Sequence, residues 1–185
     1  MTAEHSSAPD GHVHGSGDIA CAMAHGEMPA PTDGRRLVAV FASPVALQLV
    51  HLAAHVGFDC LVVDPEHDLD GATTVRTAAQ ARLDDRTDVV ITDHDRPELG
   101  DVLAAVLEHP TRWVGVMGSP RHTAPHVAAL ADRGVAPEVV ARVHRPIGLD
   151  IGSKSPAEIA VSTVAGLLAD RNGRDGGVFA VRGTA

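Results

Sequence analysis

The sequence predicts an α/β fold, a three-layer sandwich in which helices cover both faces of a mostly parallel sheet. Three observations carry this. Apolar runs of strand length alternate along the chain with segments whose apolar residues recur at helical spacing. The runs LVAVFA (37–42) and FDCLVV (58–63) are nearly continuous rather than alternating, as strands buried on both faces require. Finally, 44% of the 185 residues are hydrophobic, yet the only aromatic residues are Phe41, Phe58, Trp113 and Phe179. Ala, Val and Leu must therefore build the core, which suits helices packed closely on a sheet.

Residues 1–34 are rich in Gly, Ser, Pro, Ala and His without a sustained period, and read as a disordered tail with a candidate short helix around 19–23. His5, His12, His14, Cys21 and His25 are ligand types for a borderline metal. Their spacing matches no closed site, so solvated disorder is the simpler reading and no metal is assigned. The domain proper spans 35–172. Its first strand, 37–42, runs into Ser43-Pro44, which opens a helix to about 56, closed by Gly57. The second strand, 58–63, stops at Asp64-Pro65. Residues 66–87 contain a turn at Asp70-Gly71 and a short helix or strand around 73–82. A strand at 88–92 precedes a helix at 97–108, and a strand at 113–117 precedes a helix from Gly118-Ser119-Pro120 to Gly134. A short helix covers 137–143. After a glycine-punctuated loop, a helix from Pro156 to about 170 is apolar on most sides and is expected to be largely buried. Residues 173–185 form a polar, glycine-rich tail in which 178–181 is a candidate edge strand.

Strands alternating with helices imply right-handed β-α-β units, hence a Rossmann-like sheet that binds ligands beyond the carboxyl ends of its strands. The candidate site residues lie in the loops there. Ser43 follows the first strand and Asp64 ends the second, about twenty residues on, where an acidic side chain can take ribose hydroxyls. Yet the turn Ala42-Ser43-Pro44 carries none of the glycines of a dinucleotide fingerprint, and Pro44 removes an N–H where a pyrophosphate would approach. NAD(P) is therefore a disfavoured second candidate cofactor. Thr92 and His94 follow the 88–92 strand, with His94 between two carboxylates as a candidate for proton transfer; a solvated surface histidine is the plainer reading. Gly118, Ser119 and Arg121 combine close backbone approach, a cap and an anion-seeking guanidinium. The loop before the last helix supplies Gly148, Asp150, Gly152 and Lys154, the only lysine, with Arg145 at its start. Ser155, Pro156 and Glu158 fit N-cap, N1 and N3 of a capping box. Such a helix start suits a phosphate-bearing ligand, although a well-capped helix after a tight turn explains the same residues.

WVGVMGS (113–119), the run RVHRPIGLDIGSKSPAEIAVS (142–162) and VVDP (62–65) resemble, in order, the C-terminal Rossmann domain of the xanthine dehydrogenase accessory (XdhC/CoxI) family over about 36–172. The resemblance implies a maturation factor for molybdenum hydroxylases that binds molybdenum cofactor, supports its sulfuration and delivers it. The candidate partners it implies are the molybdenum hydroxylase apo-enzyme, a cysteine desulfurase and a second copy of the chain. The chain departs from the family pattern in its first turn, at Pro120, in Asp93 standing between Thr92 and His94, and at Gly166, where the family tends to have glutamate. It is also expected to lack the family's usual N-terminal domain. A non-catalytic accessory protein is thus the first reading, with an NAD(P)-dependent oxidoreductase and a protein–protein adaptor as alternatives.

Composition excludes other classes. A net charge of −9 and the absence of a basic stripe argue against nucleic acid. No apolar run approaches the length of a membrane span. The start of the chain does not read as a secretory signal. Cys21 and Cys60 make no disulfide framework, so a reducing, cytoplasmic location is expected.

Overall fold

The first strand, β1 (Arg36–Val40), sets the layering. From Leu37 onward its residues are buried, and alternate side chains enter opposite cores: Leu37 and Ala39 one, Val38 and Val40 the other. The computed structural model describes residues 34–119 and 124–177. There β1 is followed by α1 (Pro44–His55), β2 (Asp59–Val63), β3 (Thr74–Val75), α2 (Ala78–Ala81), β4 (Thr87–Ile91), α3 (Leu99–Leu107) and β5 (Trp113–Val116). Then come α4 (Pro125–Ala131), α5 (Pro137–Val140), β6 (Val143–His144) and α6 (Pro156–Arg171). The strands pair in parallel in the order β3-β2-β1-β4-β5-β6, the order of a doubly wound dinucleotide-binding sheet.

Helices cover both faces, as the sequence predicts. Leu49, Val50 and Ala53 of α1 join Ala160, Val164 and Leu167 of α6 over Leu37, Ala39, Val62 and Val90. Leu99, Leu103 and Val106 of α3 and Leu130 of α4 pack on Val38, Val40, Val89 and Ile91. Each valine, leucine or isoleucine among them contributes about 1.5–3 kcal/mol by leaving water. The register brings Val40, Val63, Ile91 and Val116 level with one another, so the loops that follow β1, β2, β4 and β5 emerge along one edge.

Local chemistry explains most boundaries. Ser43 caps α1 by accepting from the Ala46 N–H at 3.0 Å, with Pro44 at the first turn. The far end closes on Gly57 at φ +89°, whose N–H reaches Ala54 O while Phe58 N–H reaches Ala53 O. Those paired bonds need a left-handed residue, hence glycine. Residues 66–87, ambiguous in sequence, hold both β3 and α2, the latter fixed by a Thr77–Gln80 capping box.

Three expectations need correction. The helix placed at 137–143 ends at Val140, and Val143–His144 instead pairs with Val114–Gly115 as the edge strand. The Ser155–Glu158 capping box does not form. Ser153 takes its place: its hydroxyl accepts from the Ser155 N–H at 3.1 Å and donates to the Glu158 carboxylate. And the Gly118-Ser119-Pro120 turn does not lead straight into the helix expected to end at Gly134: Ala124 is extended and α4 starts at Pro125. α6 is largely buried, as expected: from Ile159 to Ala169 only Val161, 53% exposed, faces solvent, while Ser162 and Thr163 face inward. Those hydroxyls stay satisfied by donating to the carbonyls of Leu149 and Ile159.

At the amino ends of the strands, Asp88 is fully buried on β4 and accepts from Arg112 Nε at 2.5 Å and Arg171 Nε at 2.8 Å. It ties the start of β5 to the end of α6. The tail residues with their histidines and Cys21, Pro120, Arg121 and the 178–181 segment lie outside the described residues. Among the described residues, no helix is long and apolar enough to cross a membrane.

Candidate functional site at the strand ends

The residues that follow the strands gather in two clusters. The first is at the point where the strand order reverses, between β1 and β4. Phe41, directly after β1, is fully buried and takes φ +73°, a left-handed conformation that costs a bulky residue about 1–2 kcal/mol. It turns the backbone so that the Ala42 N–H points at Asp64 Oδ2, at 2.8 Å. Ser43 Oγ then donates to Thr92 Oγ1 at 3.1 Å, and the Thr92 hydroxyl is within 2.9 Å of Val40 O and 2.8 Å of Phe41 O. The structure thus brings together two residues that the sequence singled out separately, Ser43 and Thr92, and uses both to brace the turn.

Asp64 carries the heaviest load. It has no exposed surface. Its Oδ2 accepts from Ala42 N–H and from Arg96 Nη1 at 3.3 Å, and its Oδ1 accepts from the N–H groups of Glu66 and His67 at 2.8 and 2.9 Å. Burial alone would raise its pKa, but the three backbone donors and the Arg96 charge outweigh that and hold the carboxyl below its ordinary value. A carboxylate so fully engaged offers no lone pair to a ribose in this conformation.

Arg96 is the residue that sequence reasoning missed here. Its guanidinium lies 5.0 Å above the centroid of the Phe41 ring and binds Asp64, Glu66 at 3.6 Å and Glu98 at 3.1 Å. The loop after β4 is thereby clamped to the loop after β2. The charge-dense string TDHDRPE was the available signal, but nothing in it singles out the arginine. His94 lies on the same loop, part exposed, with Nε2 3.7 Å from Asp95 Oδ1.

The second cluster lies beyond β5. Gly118 stands at φ +153°, and a Cβ there would come within 2.7–2.8 Å of the Arg145 guanidinium. Arg145 Nη2 donates to Ser119 O at 3.1 Å. The turn at Gly118-Ser119 and the 145–154 loop, far apart in sequence, therefore meet through Arg145. His126 of α4 is buried beside them, and its Nδ1 has no hydrogen-bond partner among the described residues. Burial and, secondarily, the Arg145 charge lower its pKa, so the ring is neutral at neutral pH. The loop itself is pinned to α6: Gly148 rests on the backbone of Ser162–Thr163, and Gly166 faces Gly148 Cα so closely that a Cβ would stand 3.0 Å from it. Asp150, Gly152 and Lys154 remain solvent-exposed on the same loop. Cys60 is set apart from both clusters by its chemistry; burial, then the neighbouring Asp59 charge, push its thiol up to about 12, so it is no thiolate nucleophile.

A parallel sheet with polar loops at its reversal point defines an α/β domain of the Rossmann class. The family described as XdhC Rossmann domain matches residues 37–167, and the chain belongs to this family of xanthine dehydrogenase accessory proteins. It is 32% identical over 156 residues to the uncharacterized protein YqeB of Escherichia coli (strain K12), a match that covers 78% of this chain and 29% of that protein. It is also similar to a solved structure from Bacillus halodurans described as a xanthine dehydrogenase, with a TM-score of 0.59 and 26% identity, over 75% of this chain and 45% of that one. The chain spans less than half the length of either relative.

Proposed function

We propose that this chain acts in the cytoplasm as an accessory factor for a molybdenum hydroxylase, holding molybdenum cofactor or a dinucleotide form of it for delivery to the apo-enzyme. The observation that carries the reading is the meeting of Arg145 with the Gly118-Ser119 turn at the carboxyl end of β5. The donor set fits a phosphate. A guanidinium lies against a turn with no side chain at Gly118, and Arg121 follows two residues after Ser119. The bound cofactor would supply the molybdenum centre that the client needs; the chain's own residues would bind its phosphate end and keep it from solvent. Family membership and the xanthine dehydrogenase-described neighbour support the same reading. The β1 crevice supports an adenine dinucleotide less well, because Pro44 removes an N–H and Asp64 is already saturated.

The test is binding of purified molybdenum cofactor to the full chain. Arg121→Ala and Arg145→Ala should each weaken binding by about tenfold or more, the effect of losing one charge-assisted contact. Unchanged affinity in both variants removes the strand-end site. Co-purification with a molybdenum hydroxylase subunit without bound cofactor would favour the adaptor role instead.

A further inference from the structure

At the end of the sheet opposite the strand-end loops, the starts of β5 and β6 form a pocket of about 190 Å³. An arginine precedes each strand: Arg112 stands directly before Trp113, and Arg142 directly before Val143. The parallel register pairs Val114 with Val143, which carries Arg142 level with Trp113. Both arginines therefore line the same pocket, together with Thr111 and His144. The Trp113 and His144 rings stack with centroids 5.2 Å apart and hold the two strand starts together.

Two buried donors here lack a hydrogen bond. Thr111 is 9% exposed, and its hydroxyl has no partner among the described residues. Arg112 gives Nε to Asp88 and Nη1 to Asp170, and its Nη2 is left without a partner among them. A buried donor left unpaired costs free energy, which an acceptor placed within reach of both would recover. The charges favour an anion. Asp88 and Asp170 offset Arg112 and Arg171. Arg142 adds an exposed guanidinium that has no ion-pair partner among the described residues. None of the described residues lining the pocket is acidic, although the whole chain carries a net charge of −9. From this we infer that the pocket binds a tetrahedral oxyanion, either inorganic phosphate or the phosphate group of a small monoester. Donors from three residues, Thr111, Arg112 and Arg142, suit four oxygens better than the two of a carboxylate. The volume lies below the range of about 300–1,000 Å³ typical of cofactor sites, so the ligand is small. The four residues of β5, about 13 Å of strand, lie between this pocket and the Gly118 turn. The inference therefore does not rest on the phosphate site proposed at Gly118 and Arg145, and its test does not use molybdenum cofactor.

The experiment is calorimetric titration of the full chain with inorganic phosphate and with glycerol phosphate, at an ionic strength held constant with sodium chloride. Saturable binding of at least one probe, one per chain, is expected. The tighter of the two identifies the source of the oxyanion. Emission of Trp113, the only tryptophan and a pocket residue, should change with the same midpoint. Arg142 is exposed, so Arg142→Gln should keep the native circular dichroism and weaken binding about tenfold or more by losing a charge-assisted contact. Thr111→Val keeps the shape of the side chain and removes only the unpaired hydroxyl; it should weaken binding about fivefold. Arg121→Ala, beyond the other end of β5, should leave the midpoint unchanged. Absence of saturable binding of both probes at millimolar concentration overturns the inference. So do affinities unchanged in both Arg142→Gln and Thr111→Val, or binding that is lost in Arg121→Ala and kept in Arg142→Gln.

Discussion

Replacing Asp64 with asparagine tests whether this buried carboxylate organises the crevice. Four donors converge on it: the N–H groups of Ala42, Glu66 and His67 at 2.8–2.9 Å, and Arg96 at 3.3 Å. An amide offers one oxygen and one NH2 group. Whichever way it is turned, at least one buried backbone N–H faces another donor, and the remaining bonds lose their ionic character. A hydrogen bond to a charged group is worth about 1.5–3 kcal/mol, and a stranded buried donor costs about 1–3 kcal/mol. Relief of the carboxylate's desolvation offsets part of this, so a loss of about 3 kcal/mol is expected. In a domain of this size that lowers the melting temperature by about 6–12 °C. The variant also alters the pH profile. Because the folded pKa of Asp64 lies below the ordinary value of 3.8, its stabilisation is complete above that value and is lost as pH falls through the folded pKa. Urea unfolding followed by circular dichroism, at neutral pH and across the acid range, measures both. A loss below about 1 kcal/mol, or an acid-range slope unchanged in Asp64→Asn, would refute the reasoning.

Two further substitutions probe the same architecture. Phe41→Gly relieves a left-handed phenylalanine, worth about 1–2 kcal/mol, but deletes a fully buried ring, worth about 3–5 kcal/mol. The net effect should be a loss of about 2–3 kcal/mol in denaturant unfolding, and a stabilised variant would contradict the packing described. Gly166→Ala gains about 1 kcal/mol of helix propensity yet puts a methyl 3.0 Å from Gly148 Cα. Overpacking against backbone costs about 1–3 kcal/mol, so a net loss of about 1 kcal/mol is expected in a thermal melt; a gain of that size would mean the loop is not pressed on α6.

Continuous apolar runs made the central strands legible, because β1, β2 and β4 are buried on both faces and their composition says so. β3 and β6 are two residues each and carry no such pattern. They exist because a neighbouring strand offers a free edge, a tertiary fact that no local window contains. The missing capping box has a similar cause: Ser153, two residues upstream, bonds Glu158 first. At the site, Ser43, Asp64, Thr92, Gly118 and Ser119 could be placed at strand ends from spacing alone. Their roles could not. Asp64 looks like a ribose ligand until Ala42, Glu66, His67 and Arg96 are seen to consume its oxygens. Arg96 and Arg145 draw their importance from what they reach, across 32 and 26 residues of chain respectively. The Trp113–His144 stack joins two strands that the sequence had not paired.

The most direct test of the accessory role is the molybdenum content and activity of a molybdenum hydroxylase isolated from cells of the same source with this chain deleted. The account predicts a client that is assembled but poor in molybdenum and largely inactive, restored by the wild-type chain and not by the Arg121→Ala, Arg145→Ala double variant. A client fully loaded and active in the absence of the chain would contradict it.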